Sequence, residues 1–179
     1  MTSTGIVRRI DNLGRVVVPK ELRRRLRWGE GSPVEVFTGE DGFVCLKKYT
    51  SMGEDSCTAQ KLADSVAEVT KYTVCVSDMD RMVAVAGNAA AKTKLMEKDI
   101  SMEVERAISA RHPVIAENIP IITALETAHM YSHAAIAPII CEGDAEGAVV
   151  IVSKDTEIGE DALMLAKTAA LFLADRLAV

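Results

Sequence analysis

The sequence predicts an α+β protein of two domains, and three observations lead to this prediction. Residues 1–50 contain short runs of alternating apolar and polar side chains, typical of half-buried strands, around one short helix. Residues 57–179 begin and end with apolar stripes of helical period and carry strand patterns between them. The charge balance changes from ten basic and six acidic residues over 1–53 to eleven basic and twenty acidic over 54–179. We therefore expect a basic first domain at 1–50, a linker at 51–56 and an acidic second domain at 57–179.

The first domain is predicted to begin with two strands and a helix. Residues 5–11 are predicted as the first strand, with Ile6, Arg8 and Ile10 on one face and Val7, Arg9 and Asp11 on the other, a pattern that suits a strand exposing cations near its end. Gly14 gives the backbone freedom that the next turn needs. The β-branched residues 16–18 form the second strand. Pro19 lacks an N–H for a strand ladder but suits the first turn of a helix, so we expect the helix to begin there.

A loop and a β-hairpin complete the first domain, which is then β-β-α-β-β. Residues 28–33 are rich in Gly, Ser and Pro, and strand patterns at 34–38 and 43–48 flank a turn at 39–42. A unit of about fifty residues with one short helix buries little apolar surface, and such domains often depend on a metal, disulfides or a partner chain. Because the sequence offers this domain neither a metal site nor a disulfide, we expect an intertwined homodimer.

Cationic side chains are concentrated in the first 27 residues, where seven Arg and one Lys stand against Asp11 and Glu21. On a helical wheel, one arc beside the apolar arc holds four cations of the predicted helix: Lys20, Arg23, Arg24 and Arg27. Arginine suits planar, two-pronged contacts with phosphate or with a guanine edge. We therefore expect double-stranded DNA as the partner. A solvated basic face is the alternative, and the coincidence of turn, strand, helix and cations makes it the weaker one.

A resemblance to a known family is carried by residues 4–24, which read TGIVRRIDNLGRVVVPKELRR. This stretch resembles the DNA-binding module of the AbrB-type transition-state regulators. The resemblance implies a swapped-hairpin β-barrel built by two chains and DNA contacts from Arg8, Arg15, Arg23 and Arg24. We add three cations to the DNA-binding set from their charge and position: Arg9, Lys20 and Arg25. Trp28 and Ser32 depart from the family pattern. Both residues lie in the predicted loop at 28–33, so the departure affects the expected geometry of that loop and not the expected DNA-binding face.

The second domain is predicted as an antiparallel sheet between terminal helices. Helices are predicted at 57–71, 88–98, 101–111 and 159–179. Strands are predicted at 72–77, 82–86, 113–117, 134–141 and 148–153, with turns at 78–81 and 142–147. The order of elements resembles a GAF domain, a small-molecule sensor and dimerisation module. The whole chain, with both domains, resembles a family of transcription regulators of spore development. This resemblance implies that the protein activates or represses sporulation genes. A small-molecule ligand of unknown identity stays open, and no cofactor is assigned.

The terminal helices of the second domain suggest how chains assemble. Small residues recur at helical spacing: Ala59, Ala63, Ala67, Ala162, Ala166, Ala169 and Ala170. Larger apolar residues accompany them: Leu62, Val66, Leu165, Leu173 and Leu177. A helix packs on its own sheet with one side, so we expect the other side to join a second copy in a four-helix bundle. If the two domains pair with different chains, the result is a tetramer; if they pair with the same chain, it is a dimer. We favour the tetramer.

Other classes of protein and site receive little support. No run of about 18 apolar residues and no secretory signal pattern is present, so we expect a soluble, cytoplasmic protein without a membrane partner. The cysteines Cys45, Cys57, Cys75 and Cys141 lack paired metal-ligand spacing and are expected as free thiols. His129 and His133 are four residues apart, but no third ligand is evident, so we expect no metal site.

We expect no enzymatic activity, because no set of nucleophile, base and oxyanion donors and no Gly-rich phosphate loop is recognisable. Two alternatives stay open. The second domain could be a GAF-like, thiol-dependent methionine sulfoxide reductase that uses Cys75 or Cys141. The first domain could be an antitoxin-like interaction module, since some antitoxins share the swapped-hairpin barrel. Those usually continue into a short disordered tail, whereas this chain continues into a folded domain.

Overall fold

The computed structural model describes residues 4–26, 28–40, 42–49, 52, 56–123 and 130–178. It divides into two compact units, Met1–Tyr49 and Thr50–Val179. Two of the residues singled out above, Arg27 and His129, lie outside the described residues, as does most of the predicted linker at 51–56.

The first unit contains a short helix and a hairpin. Helix α1 spans Lys20–Arg25, with Pro19 at its N-cap position, as the sequence predicts. Strands β1 (Val34–Thr38) and β2 (Val44–Lys48) form an antiparallel pair. The turn between the strands is closed by hydrogen bonds from Gly39 N–H to the Phe43 carbonyl and from Gly42 N–H to the Gly39 carbonyl, each 3.0 Å long.

The prediction of strands at 5–11 and 16–18 is wrong for the single chain. These segments flank a turn in which the Asp11 N–H donates to the Arg15 carbonyl at 3.1 Å, but no strand ladder continues from it among residues 4–19. A strand exists only beside another strand, and within one chain β1 and β2 pair with each other. The two segments therefore have the sequence pattern of strands, but among the described residues of one chain they have no neighbouring strand to pair with.

The first unit has almost no core of its own. Among its described residues only Pro19 is buried. Its exposed apolar side chains include Ile6, Val7, Ile10, Leu13, Val16, Val17, Val36 and Val44. This exposed set is large for a unit of about fifty residues, since soluble monomers rarely leave extended apolar patches uncovered.

Within its described residues, the second unit contains all five strands and all four helices that the sequence predicts. Its helices are α2 (Ser56–Thr70), α3 (Ala89–Leu95), α4 (Met102–Ala110) and α5 (Glu160–Leu177). Its strands are β3 (Thr73–Ser77), β4 (Met82–Ala86), β5 (Val114–Pro120), β6 (Met130–Cys141) and β7 (Asp144–Ser153). The strands form one antiparallel sheet in the order β4-β3-β7-β6-β5. Asn88 and Ser101 cap α3 and α4 by accepting backbone N–H groups, which explains why these helices begin there.

The turn predicted at 142–147 is too long. Cys141 pairs directly with Asp144, so the turn consists of Glu142 and Gly143, with φ of 49° and 92°. Two positive φ values match the twist of the strands that such a turn joins. Gly147, which looked like part of the turn, lies inside β7, where a Cβ atom would stand 1.9 Å from the Ser77 carbonyl oxygen. Close approach of two strands therefore requires this glycine.

Two cores lie on opposite faces of the sheet. One core contains the inward-facing alanines of α2 and α5 and Leu173 of α5. All of them are buried, so they pack inside their own chain and not in an interface between chains. This corrects the prediction for the alanine rows and Leu173. Leu62, Val66 and Leu177 are partly buried against the same core. The core on the other face packs under α3 and α4 and includes Met82, Leu95, Val104, Ile108 and Ile121.

The edge strand β4 is covered by a side chain of α2. Gln60 Nε2 donates to the Val85 carbonyl at 3.0 Å, and the Val85 N–H donates to Gln60 Oε1 at 3.2 Å. One amide thus satisfies the backbone donor and acceptor that the strand turns away from β3, which protects this edge from pairing with another strand. In the described part of the chain, no helix has the length and apolar character needed to cross a membrane.

Candidate nucleic-acid interface

The turn after residue 10 is held by the carboxylate of Asp11. Asp11 Oδ1 accepts the backbone N–H groups of Leu13 at 2.9 Å and of Arg15 at 2.8 Å. Asp11 Oδ2 accepts Arg15 Nε at 2.9 Å. A short acidic side chain that hydrogen-bonds the backbone ahead of it is a common way to form a turn. The hydrogen bond from the Arg15 N–H is the main cause that lowers the pKa of Asp11, so this carboxyl is ionised at neutral pH.

The short helix α1 presents most of the remaining cations. Its last turn contains Arg23, Arg24 and Arg25, where positive charge interacts favourably with the helix dipole. Arg24, Arg25 and Lys20 are exposed, and Arg23 is half-buried. Arg23 Nε donates to the Val18 carbonyl at 3.3 Å, which connects α1 to the segment that carries Arg15.

The structure places each predicted DNA-binding residue in the first unit. Arg8, Arg9 and Arg15 are exposed on the two sides of the Asp11 turn, and Arg8 Nη1 donates to the Val7 carbonyl at 3.3 Å. Six of the seven cations are exposed, and Arg23 is the half-buried one. The sequence reasoning missed the role of Asp11 in this surface, although an Asp at the start of an Asp-Asn-Leu-Gly turn is a recognisable signal.

Cys75 and Cys141, the two cysteines considered for thiol chemistry, are poor nucleophiles. Cys75 is fully buried, and burial raises the pKa of its thiol to about 12. Cys141 is half-buried, and partial burial raises the pKa of its thiol, with a further contribution from the negative charges of Glu142, Glu146 and Asp144. Because the thiolate is the reactive species, both environments oppose thiol chemistry at neutral pH.

The described part of the second unit contains a polar cleft but no cluster of metal-ligating side chains. Within residues 4–123 and 130–178, apart from the gaps given above, no three His, Cys, Asp or Glu side chains are grouped so as to hold a metal ion. A cleft of about 440 Å³ lies at one end of the sheet, lined by polar and charged residues that include Lys71, Asn88, Lys94 and Lys154. Lys154 Nζ lies 5.4 Å from the centre of the Tyr131 ring at this cleft. The polar and charged lining of this cleft suits a polar small molecule.

Two family models match the chain. The model for "Stage V sporulation protein T C-terminal, transcription factor" matches residues 56–178, and the model for "Antidote-toxin recognition MazE, bacterial antitoxin" matches residues 7–54. Stage V sporulation protein T of Bacillus subtilis is 42% identical over 177 residues, which is 97% of each chain. The transition state regulatory protein AbrB of the same organism is 53% identical over 49 residues, 27% of this chain and 50% of that protein.

Solved structures resemble the second unit in fold. The GAF domain of an Acinetobacter phosphoenolpyruvate-protein phosphotransferase matches with a TM-score of 0.52 and 15% identity, covering 74% of this chain and 84% of that one. A free methionine-R-sulfoxide reductase of Thermoplasma acidophilum matches with a TM-score of 0.54 and 14% identity, covering 70% and 94%. At such identities the likeness concerns the fold alone. The predicted fold class, an AbrB-like domain followed by a GAF-like domain, is confirmed.

Proposed function

The chain belongs to the stage V sporulation protein T family of transcription factors, and on this basis we propose that it regulates transcription in sporulation by binding double-stranded DNA. The observation that carries the proposal is the arginine-rich surface of the first unit, in a chain whose overall charge is negative. Such a local reversal of charge is what a DNA-binding part of an acidic protein requires. Whether a given promoter is activated or repressed depends on where the bound sites lie.

The proposed DNA-binding surface, called the arginine face below, consists of Arg8, Arg9, Arg15, Lys20, Arg23, Arg24 and Arg25. Exposed guanidinium groups can neutralise phosphates, which supplies most of the affinity, and a few of them can reach base edges. Because Arg15 is on a turn and Arg24 on a helix, the face combines two kinds of element. We expect part of the sequence preference to come from DNA shape, since no long helix is available to enter a groove.

We propose that the first unit dimerises by exchanging its hairpins. The support is the exposed apolar set around Ile6, Val16 and Val36 in a unit where Pro19 is the only buried described residue. Residues 5–11 and 16–18 have strand patterns without strand neighbours in one chain, and a second copy would supply those neighbours. The dimer would also place two copies of the arginine face on one DNA duplex.

A second interface is proposed on α5. The residues of this helix that face away from the core include four apolar ones at the spacing of one helical stripe, which we call the α5 stripe: Met164, Leu165, Leu171 and Phe172. Of the residues first proposed for the bundle, Leu165 is the large apolar one on α5 that remains exposed. Pairing of the stripe with another copy would bury it, and with the N-terminal dimers it would give a tetramer.

The two alternatives are less well supported than DNA binding. A thiol-dependent reductase would need a reactive cysteine, and the pKa of the thiol is raised at both Cys75 and Cys141. The antitoxin family model matches residues 7–54 alone, whereas stage V sporulation protein T of Bacillus subtilis aligns with 97% of the chain. We therefore propose a cytoplasmic, non-enzymatic regulator, with the cleft at Lys71 and Lys94 as the place for any small-molecule ligand.

Fluorescence anisotropy with labelled duplex DNA tests the proposed function on the full-length chain. Replacing Arg15 or Arg24 by Ala should weaken binding while leaving the thermal unfolding curve unchanged, because both side chains are exposed. Lys154→Ala, a cation of the second unit, is the matched control and should bind DNA as the wild type does. Equal affinity of all four proteins would reject the arginine face.

A further inference from the structure

The three hydrogen bonds that the Asp11 side chain accepts divide between its two carboxylate oxygens. Oδ1 accepts the two backbone N–H groups that shape the turn, from Leu13 and Arg15. Oδ2 accepts the side chain of Arg15 through Nε. One oxygen therefore forms the turn, and the other holds a guanidinium group. The two roles are chemically separable, because they use different atoms.

Holding Arg15 through Nε leaves the opposite edge of its guanidinium for a ligand. The two Nη groups carry four of the five N–H donors of an arginine, and they form the fork that binds phosphate or guanine. The Arg15 side chain is 71% exposed, and that of Asp11 is 39% exposed. The hydrogen bond fixes the plane of the guanidinium without covering the fork.

We propose that Asp11 is a positioning residue that pre-orients Arg15 for DNA, an inference that rests on the proposed function. An unrestrained arginine loses rotational freedom when it binds, and a side chain that is already held loses less. An exposed ion pair contributes little to stability, so its effect should be seen in DNA binding and not in folding. Each proposed dimer would contain the pair twice.

Electrostatics alone gives the opposite expectation for the same residue. Asp11 and Glu21 are the two acidic residues among the first 27, and a carboxylate near DNA repels phosphate. Neutralising either one should strengthen DNA binding if charge were the whole effect. Glu21 lies exposed in the first turn of α1 and provides a matched control for the change in charge. The direction of the change in affinity therefore distinguishes positioning from repulsion.

The experiment compares Asp11→Asn with Glu21→Gln in the full-length chain. Asparagine keeps an oxygen that accepts the two turn N–H groups but replaces Oδ2 by an amide nitrogen, which cannot accept from Arg15. The probe is a duplex enriched by the wild-type chain from a random-sequence library. Asp11→Asn should weaken binding by about five- to fiftyfold for two chains, given the cost of ordering one free arginine per chain. Glu21→Gln should bind as tightly as the wild type or tighter.

Two further measurements separate this inference from its premise. With Arg15→Ala already present, Asp11→Asn should cause no further loss of affinity, since the group that Asp11 holds is gone. In the free protein, the Nε–H resonance of Arg15 should exchange with water faster in Asp11→Asn than in the wild type. Stronger binding by Asp11→Asn, or an equal loss in the Arg15→Ala background, would overturn the positioning role. Unchanged binding by Arg15→Ala itself would instead reject the DNA contact on which the inference depends.

Discussion

Replacing Gln60 by Ala tests how the second unit protects its edge strand. The amide of Gln60 pairs with both backbone groups of Val85, at 3.0 Å and 3.2 Å. Val85 is 0% exposed, so its N–H and carbonyl have no direct access to bulk water. Alanine removes both partners at once and leaves a buried donor and a buried acceptor on β4.

The expected loss follows from the number of orphaned groups. A buried polar group that loses its partner costs about 1–3 kcal/mol, so two such groups would cost about 2–6 kcal/mol. Water can enter part of the space that the glutamine side chain leaves, and we therefore expect a loss of about 2–4 kcal/mol in the free energy of unfolding. Gln60→Glu keeps an acceptor for the Val85 N–H, but when ionised it places a carboxylate oxygen against the Val85 carbonyl and against Asp64 Oδ1, which the Gln60 amide contacts at 2.9 Å, so its loss should be no smaller than that of Gln60→Ala.

Chemical denaturation of the full-length chain, followed by far-UV circular dichroism, measures this loss. Lys61→Ala is the matched control, because Lys61 is the next residue on α2 and is exposed. The control should change the unfolding free energy by less than about 0.5 kcal/mol. A loss below about 1 kcal/mol for Gln60→Ala, with an unchanged slope against denaturant, would show that the amide does not stabilise the edge.

Three further predictions concern DNA binding, assembly and packing. If two chains neutralise about eight phosphates, a plot of log affinity against log salt should have a slope of about −7, and Arg24→Ala should reduce its magnitude by about two; a wild-type slope near −2 in anisotropy titrations would contradict this. Leu165→Glu combined with Phe172→Glu should lower the mass of the full-length assembly in light scattering, because both side chains lie on the α5 stripe; an unchanged mass would exclude that interface. Gly147→Ala should destabilise the second unit by about 3 kcal/mol or more, since its Cβ atom would stand 1.9 Å from the Ser77 carbonyl oxygen. A thermal unfolding curve equal to that of the wild type would refute this last expectation.

The second unit shows how far periodicity predicts a fold. All nine elements that the sequence predicts for this unit are present in order among its described residues, because each has its apolar period within a short stretch of sequence. The turn at 142–147 was misjudged because Gly147 resembles a turn residue locally. The need for glycine there comes from Ser77, a residue seventy positions away. A contact of this kind leaves no local pattern.

The alanines of α2 and α5 show a different limit. Their spacing correctly indicates a close approach of helices to another element. It does not say which element, and the structure places Ala63 and Ala166 against the sheet of their own chain. Periodicity identifies an apolar face, whereas what covers that face is decided by the whole fold. On α5, the structure leaves the α5 stripe exposed on the side of the helix away from these alanines.

The candidate site was predictable in its composition and not in its arrangement. Charge and resemblance identify the cations of the arginine face. They do not reveal that Arg23 is half-buried and bonded to Val18, or that Asp11 holds Arg15. The segments at 5–11 and 16–18 carry a strand pattern that one chain cannot satisfy. In the proposed dimer a second chain would complete these strands, and a single chain would then show only part of the structure that the sequence specifies.

The two units differ in how much they depend on other chains, and this difference suggests why they are joined. The second unit has cores on both faces of its sheet, whereas the first buries little beyond Pro19. A unit that folds only in pairs has a stability that depends on concentration. Association of second units through the proposed α5 stripe would raise the local concentration of the first units attached to them, in the way that linking two binding modules strengthens both. DNA affinity would then depend on the α5 stripe, although that surface is far in sequence from the arginine face. A ligand that changed the association of second units would change DNA binding by the same coupling, without touching any residue that contacts DNA.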